Sequence, residues 1–354
     1  MTDLVELLRE LVELESPTGS TGAMQARMSS ALEDLGGRVR PIDDHLAAEF
    51  AGSGEPLLVL GHLDTVWPHG TLARLPFRVE RGRAYGPGAY DMKAGLVIIL
   101  EAIEEADRGR RALRVFLTAD EEMGSRTARP HLEAVARGAA AALVAEPAMA
   151  GGGLKTARKG LGRFRLTVTG RAAHAGTNRA DGRSAIEELA HQVLRLHALT
   201  DDERGISVNV GIVRGGTTEN VVAARAEADI DVRVSHAEDV ALIEETLAGL
   251  EPVLDGAVLE VSGGWTRPPL EPSPGSALLF ARARAVGLEL GLDLTEGSSG
   301  GGSDGNLVGA LGVPVLDGLG PEGGGAHADD EHVLIESLPV RARLLAALLQ
   351  DPGL

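Results

Sequence analysis

The sequence predicts an α/β protein that carries a smaller α+β domain within it. Three observations lead there. Through roughly the first 150 residues, short apolar runs alternate with helix-like stretches, the texture of a sheet covered by helices. Between about 158 and 266 the runs alternate residue by residue, as half-exposed antiparallel strands do. Beyond 266 an apolar run and a closing helical stretch return, and 354 residues are enough for two such bodies.

The elements follow in order. "MTDLVELLRELVELES" sets Leu4, Val5, Leu8, Leu11 and Val12 at the spacing of an amphipathic helix. Its acidic start and interrupted apolar content are unlike a signal peptide, and no run approaches transmembrane length, so a cytoplasmic protein is expected. "PLLVLGH" (56–62), "ALRVFLTADEE" (112–122) and "AALVAEP" (141–147) read as buried strands, with a helix over 95–107 between the first two. "GRFRLTVTGR" (162–171) and "NVVAARAEADIDVRVS" (220–235) alternate as strands, with helices at 182–199 and 237–249 and a last strand near 257–262. "VPVLDGLG" (313–320) predicts one more buried strand and "SLPVRARLLAALLQ" (337–350) the closing helix. Residues 1–157 and 267–354 thus form one domain, interrupted by a second at 158–266.

Composition narrows the chemistry. A net charge of -18 repels nucleic acid and anionic membranes at long range. With no cysteine, any metal must be held by His, Asp or Glu. "GSSGGGSDGN" has the glycines of a phosphate loop but lacks the Gly-Lys-Ser/Thr ending that would grip a phosphate.

Each of the four buried runs of the larger domain is followed by a residue able to bind metal: His62, Glu122, Glu146 and His327. Ligands of open α/β sheets gather beyond the carboxyl ends of the strands, which turns four ordinary turn residues into one candidate site. Asp91, in "YGPGAYDMKAG", stands where a helix begins and, taken alone, reads as its N-cap rather than a ligand. Asp91, Glu122 and Glu146 carry three negative charges, and a hydroxide makes four, the balance for two divalent ions. An Asp91 shared between them would leave each ion one histidine and one glutamate, with a water between: an open, catalytic arrangement. Glu121, adjacent to a ligand, could then take that water's proton and pass it to a leaving amine. Asp64, two residues after His62, suits the task of orienting the imidazole.

At these residues the chain resembles the dizinc carboxypeptidase and aminoacylase family. "GHLDTV", "GPGAYDMKAG", "DEEMGS", "AEP" and "GAHADDEHV" stand in that family's order across nearly the whole sequence. The resemblance implies a zinc-exopeptidase catalytic domain, a mixed sheet with helices on both faces, and a ferredoxin-like insert serving as lid and dimerisation domain. It implies two Zn2+ ions, for which cobalt can substitute, and a cis peptide bond between Asp91 and Met92. It also makes His174, in "GRAAHAG", the lid histidine that steadies the tetrahedral oxyanion. By similarity to the glutamate carboxypeptidase branch, Arg267 and Asn220 would hold the carboxylate of a small anionic substrate. Eight basic residues between 155 and 183, against Asp181 alone, suit such a substrate, although solvated strand faces account for them equally well. The expected activity is hydrolysis of an amide next to a free carboxylate, releasing a C-terminal amino acid, with glutamate favoured. An N-acyl-amino-acid deacylase of the acetylornithine deacetylase or desuccinylase kind is the alternative. A non-catalytic zinc- or peptide-binding relative is the third reading, and the presence of Glu121 argues against it.

Overall fold

The computed structural model describes residues 3–106, 110–351 and 353, so the last position of the helix expected over 95–107 lies outside them. The chain divides into two compact units. The larger comprises the residues up to Arg158, with Pro272–Ser299 and those from Ser303 onward; the smaller is Lys159–Glu271 with Gly300–Gly302. The smaller unit ends five residues later than the expected 266. Its last strand runs to Arg267, and the following prolines stay with it, since a Cβ at Gly160 would come within 2.7 Å of the Pro269 nitrogen.

In the larger unit a six-stranded sheet is built from β1 (Arg38–Ile42), β2 (His45–Phe50), β3 (Ser53–His62), β4 (Arg111–Thr118), β5 (Ala141–Val144) and β6 (Val315–Leu316). Their order is β1-β2-β4-β3-β5-β6. β3 lies parallel to both β4 and β5, and β5 parallel to β6, whereas β1, β2 and β4 run antiparallel. The sheet is therefore mixed, with a parallel half that carries the apolar runs. The helix Ala94–Glu105 is buried along nearly its whole length and packs against the closing helix Ser337–Gln350. The first helix, Leu4–Glu13, buries Leu7, Leu8, Leu11 and Val12, and Asp3 caps it by accepting hydrogen bonds from the Val5 and Glu6 amides. Several expectations were too long: the strand at 112–122 stops at Thr118, that at 141–147 at Val144, that at 313–320 is the two-residue β6, and that at 220–235 begins only at Arg225.

The smaller unit is a β-α-β-β-α-β arrangement: strand Gly160–Thr169, helix Ala185–His197, strands Ser207–Gly215 and Arg225–Val234, helix Ala237–Ala248 and strand Val258–Arg267. All strand neighbours are antiparallel, with Ser207–Gly215 at one edge and Val258–Arg267 at the other. Ala226, Ala228, Ile230, Val232 and Val234 face inward, and the charged residues between them face outward, the period of two seen in the sequence. Strand Ser207–Gly215 was not foreseen. Only Val208 is buried in it, and beyond a bulge between Val210 and Ile212 it is exposed, so it carries no inside-outside alternation.

Candidate active site

Because β3, β4 and β5 run parallel, their carboxyl ends share one edge of the sheet. β3 ends on His62. β4 is followed by a single 3-10 turn, Glu121–Met123, and Glu146 lies two residues past β5. Asp91 sits in one π-helical turn, Ala89–Lys93, that feeds the helix Ala94–Glu105, and its peptide bond to Met92 is cis. His327 lies beyond β6 in a tight loop, with φ at 63° and the Ala328 amide bonded to the Gly325 carbonyl at 2.8 Å.

The two oxygens of Asp91 face different histidines. Oδ1 is 3.1 Å from His62 Nε2, which also has Glu146 Oε1 at 3.7 Å. Oδ2 is 3.5 Å from His327 Nε2, which has Glu122 Oε2 at 3.4 Å. One carboxylate thus stands between two His-Glu pairs. His62, Asp91 and Glu122 offer ligand atoms that all lie within 4.8 Å of one another. Glu122 Oε1 is buried with no hydrogen-bond partner, an orphan that a bound cation would satisfy. Two neutral imidazoles and three carboxylates fit a pair of divalent ions of the zinc kind.

The local field is strongly negative. Burial first, and then the Asp91 charge, push the Glu146 carboxyl up to about 7 against the pull of Arg158 and His62. Burial also works against ionisation of Asp91, yet hydrogen bonds from His327 and His62 hold it well below the ordinary carboxylate range. Hydrogen bonds with Asp91 and Glu122 raise His327 to about 10. For His62, burial disfavours the charged ring, but its bonds with Asp64 and Asp91 outweigh that and push it up.

Asp64 is almost fully buried and does more than face the His62 ring, whose Nδ1 lies 2.9 Å from its carbonyl oxygen and 3.4 Å from Oδ1. Its carboxylate also accepts the Glu121 amide at 3.1 Å, the Glu122 amide at 3.3 Å and the Thr18 hydroxyl at 2.6 Å. One side chain therefore positions the His62 ring and the turn bearing Glu121 and Glu122.

A second layer was missed from sequence. Buried Arg158 donates to both oxygens of Asp317, at 2.7 and 2.6 Å, and to Glu146 Oε2 at 3.3 Å. Ser303 Oγ donates to Asp317 Oδ2 at 2.6 Å, while its neighbour Asp304 accepts from the Thr118 hydroxyl at 2.7 Å and from Ser125. The glycine-rich "GSSGGGSDGN" is thus a brace for the strand ends. Asp317 could have been found by the signal that gave the ligands, a carboxylate directly after a buried parallel strand.

His62, Asp64, Asp91, Glu121, Glu122, Glu146 and His327 all belong to the larger unit, and His174, Asn220 and Arg267 to the smaller. His174 is exposed, and its Nδ1 accepts hydrogen bonds from the Gly176 and Thr177 amides, each at 3.1 Å. The Ala175 amide bonds to the Asn220 carbonyl at 2.9 Å, which places Asn220 beside it. Arg267 is 2% exposed and packs over Gly302, where a Cβ would come 2.6 Å from its Cδ. Glu271, a conceivable local partner for it, bonds instead to His236 at 2.9 Å. The basic run from 155 to 183 is not a free patch. Lys155, Arg158, Arg165, Arg171 and Arg183 all donate to protein carbonyls or carboxylates.

A model of peptidase family M20/M25/M40 matches residues 58–351. The chain is 32% identical over 373 residues to carboxypeptidase G2 of Pseudomonas sp. (strain RS-16), covering 99% of this chain and 89% of that protein. It is 28% identical to succinyl-diaminopimelate desuccinylase of Thioalkalivibrio sulfidiphilus, over 99% of each. Among solved structures, a tripeptidase from Staphylococcus aureus superposes with a TM-score of 0.84 at 23% identity, covering 98% of this chain and 97% of that one. An M20 family metallo-carboxypeptidase from Sulfolobus solfataricus gives 0.78 at 18%, over 99% of both chains; at these identities the likeness speaks for the fold.

Proposed function

The chain belongs to peptidase family M20/M25/M40 and is a metal-dependent hydrolase of amide bonds, and from that premise we propose that it releases a C-terminal amino acid, glutamate favoured, from an amide next to a free carboxylate. The observation that carries this reading is the division of Asp91's two oxygens between two His-Glu pairs, with Glu121 one residue from a ligand. Two zinc ions held by His62, Glu146 and His327, Glu122, with Asp91 shared, would supply the positive charge that acidifies a water and polarises the scissile carbonyl.

Around them the chain's own groups divide the work. Glu121 takes the attacking water's proton and returns it to the leaving amine. Asp64 holds the His62 ring and the Glu121 turn in one geometry. His174 accepts at Nδ1, so its neutral ring carries the proton on Nε2, a donor suited to an oxyanion. Arg267, with Asn220, receives the substrate carboxylate through its planar fork. The smaller unit also provides a dimer contact. Ile212 and Val213 on the edge strand are exposed, and Val213, with Ile186 and Leu194 of the neighbouring helix, lines an apolar groove of about 500 Å³.

The similarity to a desuccinylase supports N-acyl-amino-acid deacylation as the second reading. Turnover measured across acyl-glutamates, acetyl- and succinyl-amino acids and dipeptides separates the two. Highest kcat/KM on acyl-glutamates supports the carboxypeptidase, and preference for succinyl or acetyl groups whatever the amino acid refutes it. Glu121→Gln should keep its metal and lose ~10²–10⁴-fold in kcat. Turnover by neither protein, with metal bound, would leave a non-catalytic relative.

A further inference from the structure

One buried carboxylate beside the site has no part in the chemistry above. Glu331 is 2% exposed, and its two oxygens accept four hydrogen bonds, three from backbone amides of the segment that delivers Asp91 and one from the Trp67 indole. Oε1 accepts the Tyr90 and Asp91 amides, both at 3.0 Å. Oε2 accepts the Gly88 amide at 3.0 Å and the Trp67 indole at 2.8 Å. All four partners are N–H donors, so only the ionised carboxylate can serve them, because a carboxyl proton would point at another proton. Its backbone is held as well. The Gly86 amide bonds to the Glu331 carbonyl at 3.3 Å, and the next residues, His332–Leu334, pair with Arg83–Tyr85.

Glu331 lies four positions after His327 in the same loop. The segment that ends in one ligand therefore grips the backbone of another. We infer that Glu331 is the positioning residue that sets Asp91 astride the two His-Glu pairs and couples its place to that of the His327 loop, an inference that rests on the two-metal reading above. The site spends a buried negative charge beside that of Asp91 to hold three backbone amides. Bound cations would offset that cost, whereas a neutral amide would leave two of the four donors unsatisfied.

The test is Glu331→Gln. The amide keeps one oxygen and turns an NH2 group toward N–H donors, so two of the four bonds are lost whichever way it sits. The readouts are zinc affinity by competition with a chelating dye, the visible spectrum of the cobalt-loaded protein, and kcat and KM at saturating zinc. Zinc affinity should fall roughly 10- to 100-fold, the range for groups that orient metal ligands. The cobalt bands should shift, and kcat should fall while KM stays within about threefold, because no contact to substrate is removed. Trp67→Phe, which removes a single donor and leaves the three amides held, should keep zinc affinity near wild type. If Glu331→Gln does not fold, Glu331→Asp decides, since it keeps the charge but withdraws it by one methylene. Weakened zinc in that folded variant supports the role. Unchanged zinc affinity and an unchanged cobalt spectrum in the folded variant overturn it. Wild-type protein that takes up no zinc would instead refute the metal site itself, and the inference with it.

Discussion

Replacing Asp317 by asparagine removes one charge and almost no volume from the brace behind Glu146. Asp317 is fully buried and accepts two hydrogen bonds from Arg158 and one from Ser303. Breaking a buried ion pair from one side costs about 3–5 kcal/mol, because the remaining charge stays out of water. Arg158 keeps Glu146 as a partner and the amide oxygen as an acceptor, so the low end, about 3 kcal/mol, is expected at neutral pH. The pH dependence follows from the direction of the shift. Burial opposes ionisation of Asp317, but the charges of Arg158 and Lys155 and the hydrogen bonds from Arg158 and Ser303 outweigh it and hold the carboxyl below its ordinary value. A depressed folded value means that the stabilisation is complete above the unfolded value of about 3.9 and is lost as pH falls through the folded one. Urea unfolding in the presence of a chelator, at pH values from about 7 down to about 3, measures the gap between wild type and Asp317→Asn. It should not fall between about pH 7 and 5, where protonation of Glu146 leaves Arg158 more dependent on Asp317, and it should shrink below about 4. A gap under about 1 kcal/mol at neutral pH, or one that does not narrow in acid, would falsify the pairing argument.

Prolonged chelation should abolish activity, and zinc or cobalt should restore it; full activity in a preparation shown to be metal-free would end the dizinc reading. Arg267→Ala, read on protein shown to be folded and zinc-loaded, should lower kcat/KM about 10- to 100-fold on substrates with a free carboxylate, the equivalent of roughly 1.5–3 kcal/mol. Amide analogues of those substrates should lose far less, and an equal loss on both would make Arg267 a structural residue. If His174 acts on the partner's site, mixing inactive His174→Ala with inactive Glu121→Gln should restore up to about a quarter of wild-type activity, since hybrid dimers hold one complete site. Subunits shown to exchange without recovery would place it in cis or outside catalysis.

The strand that ends in His62, the one two residues before Glu146 and the one just before Glu121 and Glu122 were legible because each closes on a buried apolar run, with polar residues just past it. The insert was legible because Arg225–Val234 alternates faithfully. The hairpin of β1 and β2 was not, since β1 is largely exposed and its register is set by pairing. The helices Gly22–Asp34 and Pro274–Glu289 bury few residues along their length, so their apolar positions trace no sharp stripe. In the site, the proposed ligands announced themselves by position. Arg158, Asp304 and Glu331 did not, because what each does depends on partners more than a hundred residues away.

The order of these residues along the chain has a consequence for synthesis. His62, Asp91, Glu122 and Glu146 all precede the smaller unit, while His327, Glu331 and β6 follow it. Glu146 and His327 are 181 positions apart, about 10–40 s of translation at ordinary ribosomal rates. During that interval the emerging chain holds three clustered carboxylates with a single histidine, and β5 shows an unpaired edge where β6 will later dock. The smaller unit, contiguous but for Gly300–Gly302, can fold in that time; the larger one must wait for its own C-terminal third. A chain arrested between these points would lack the second histidine and expose a parallel strand edge, so quality control on the ribosome would meet half of the proposed metal site before it met an enzyme.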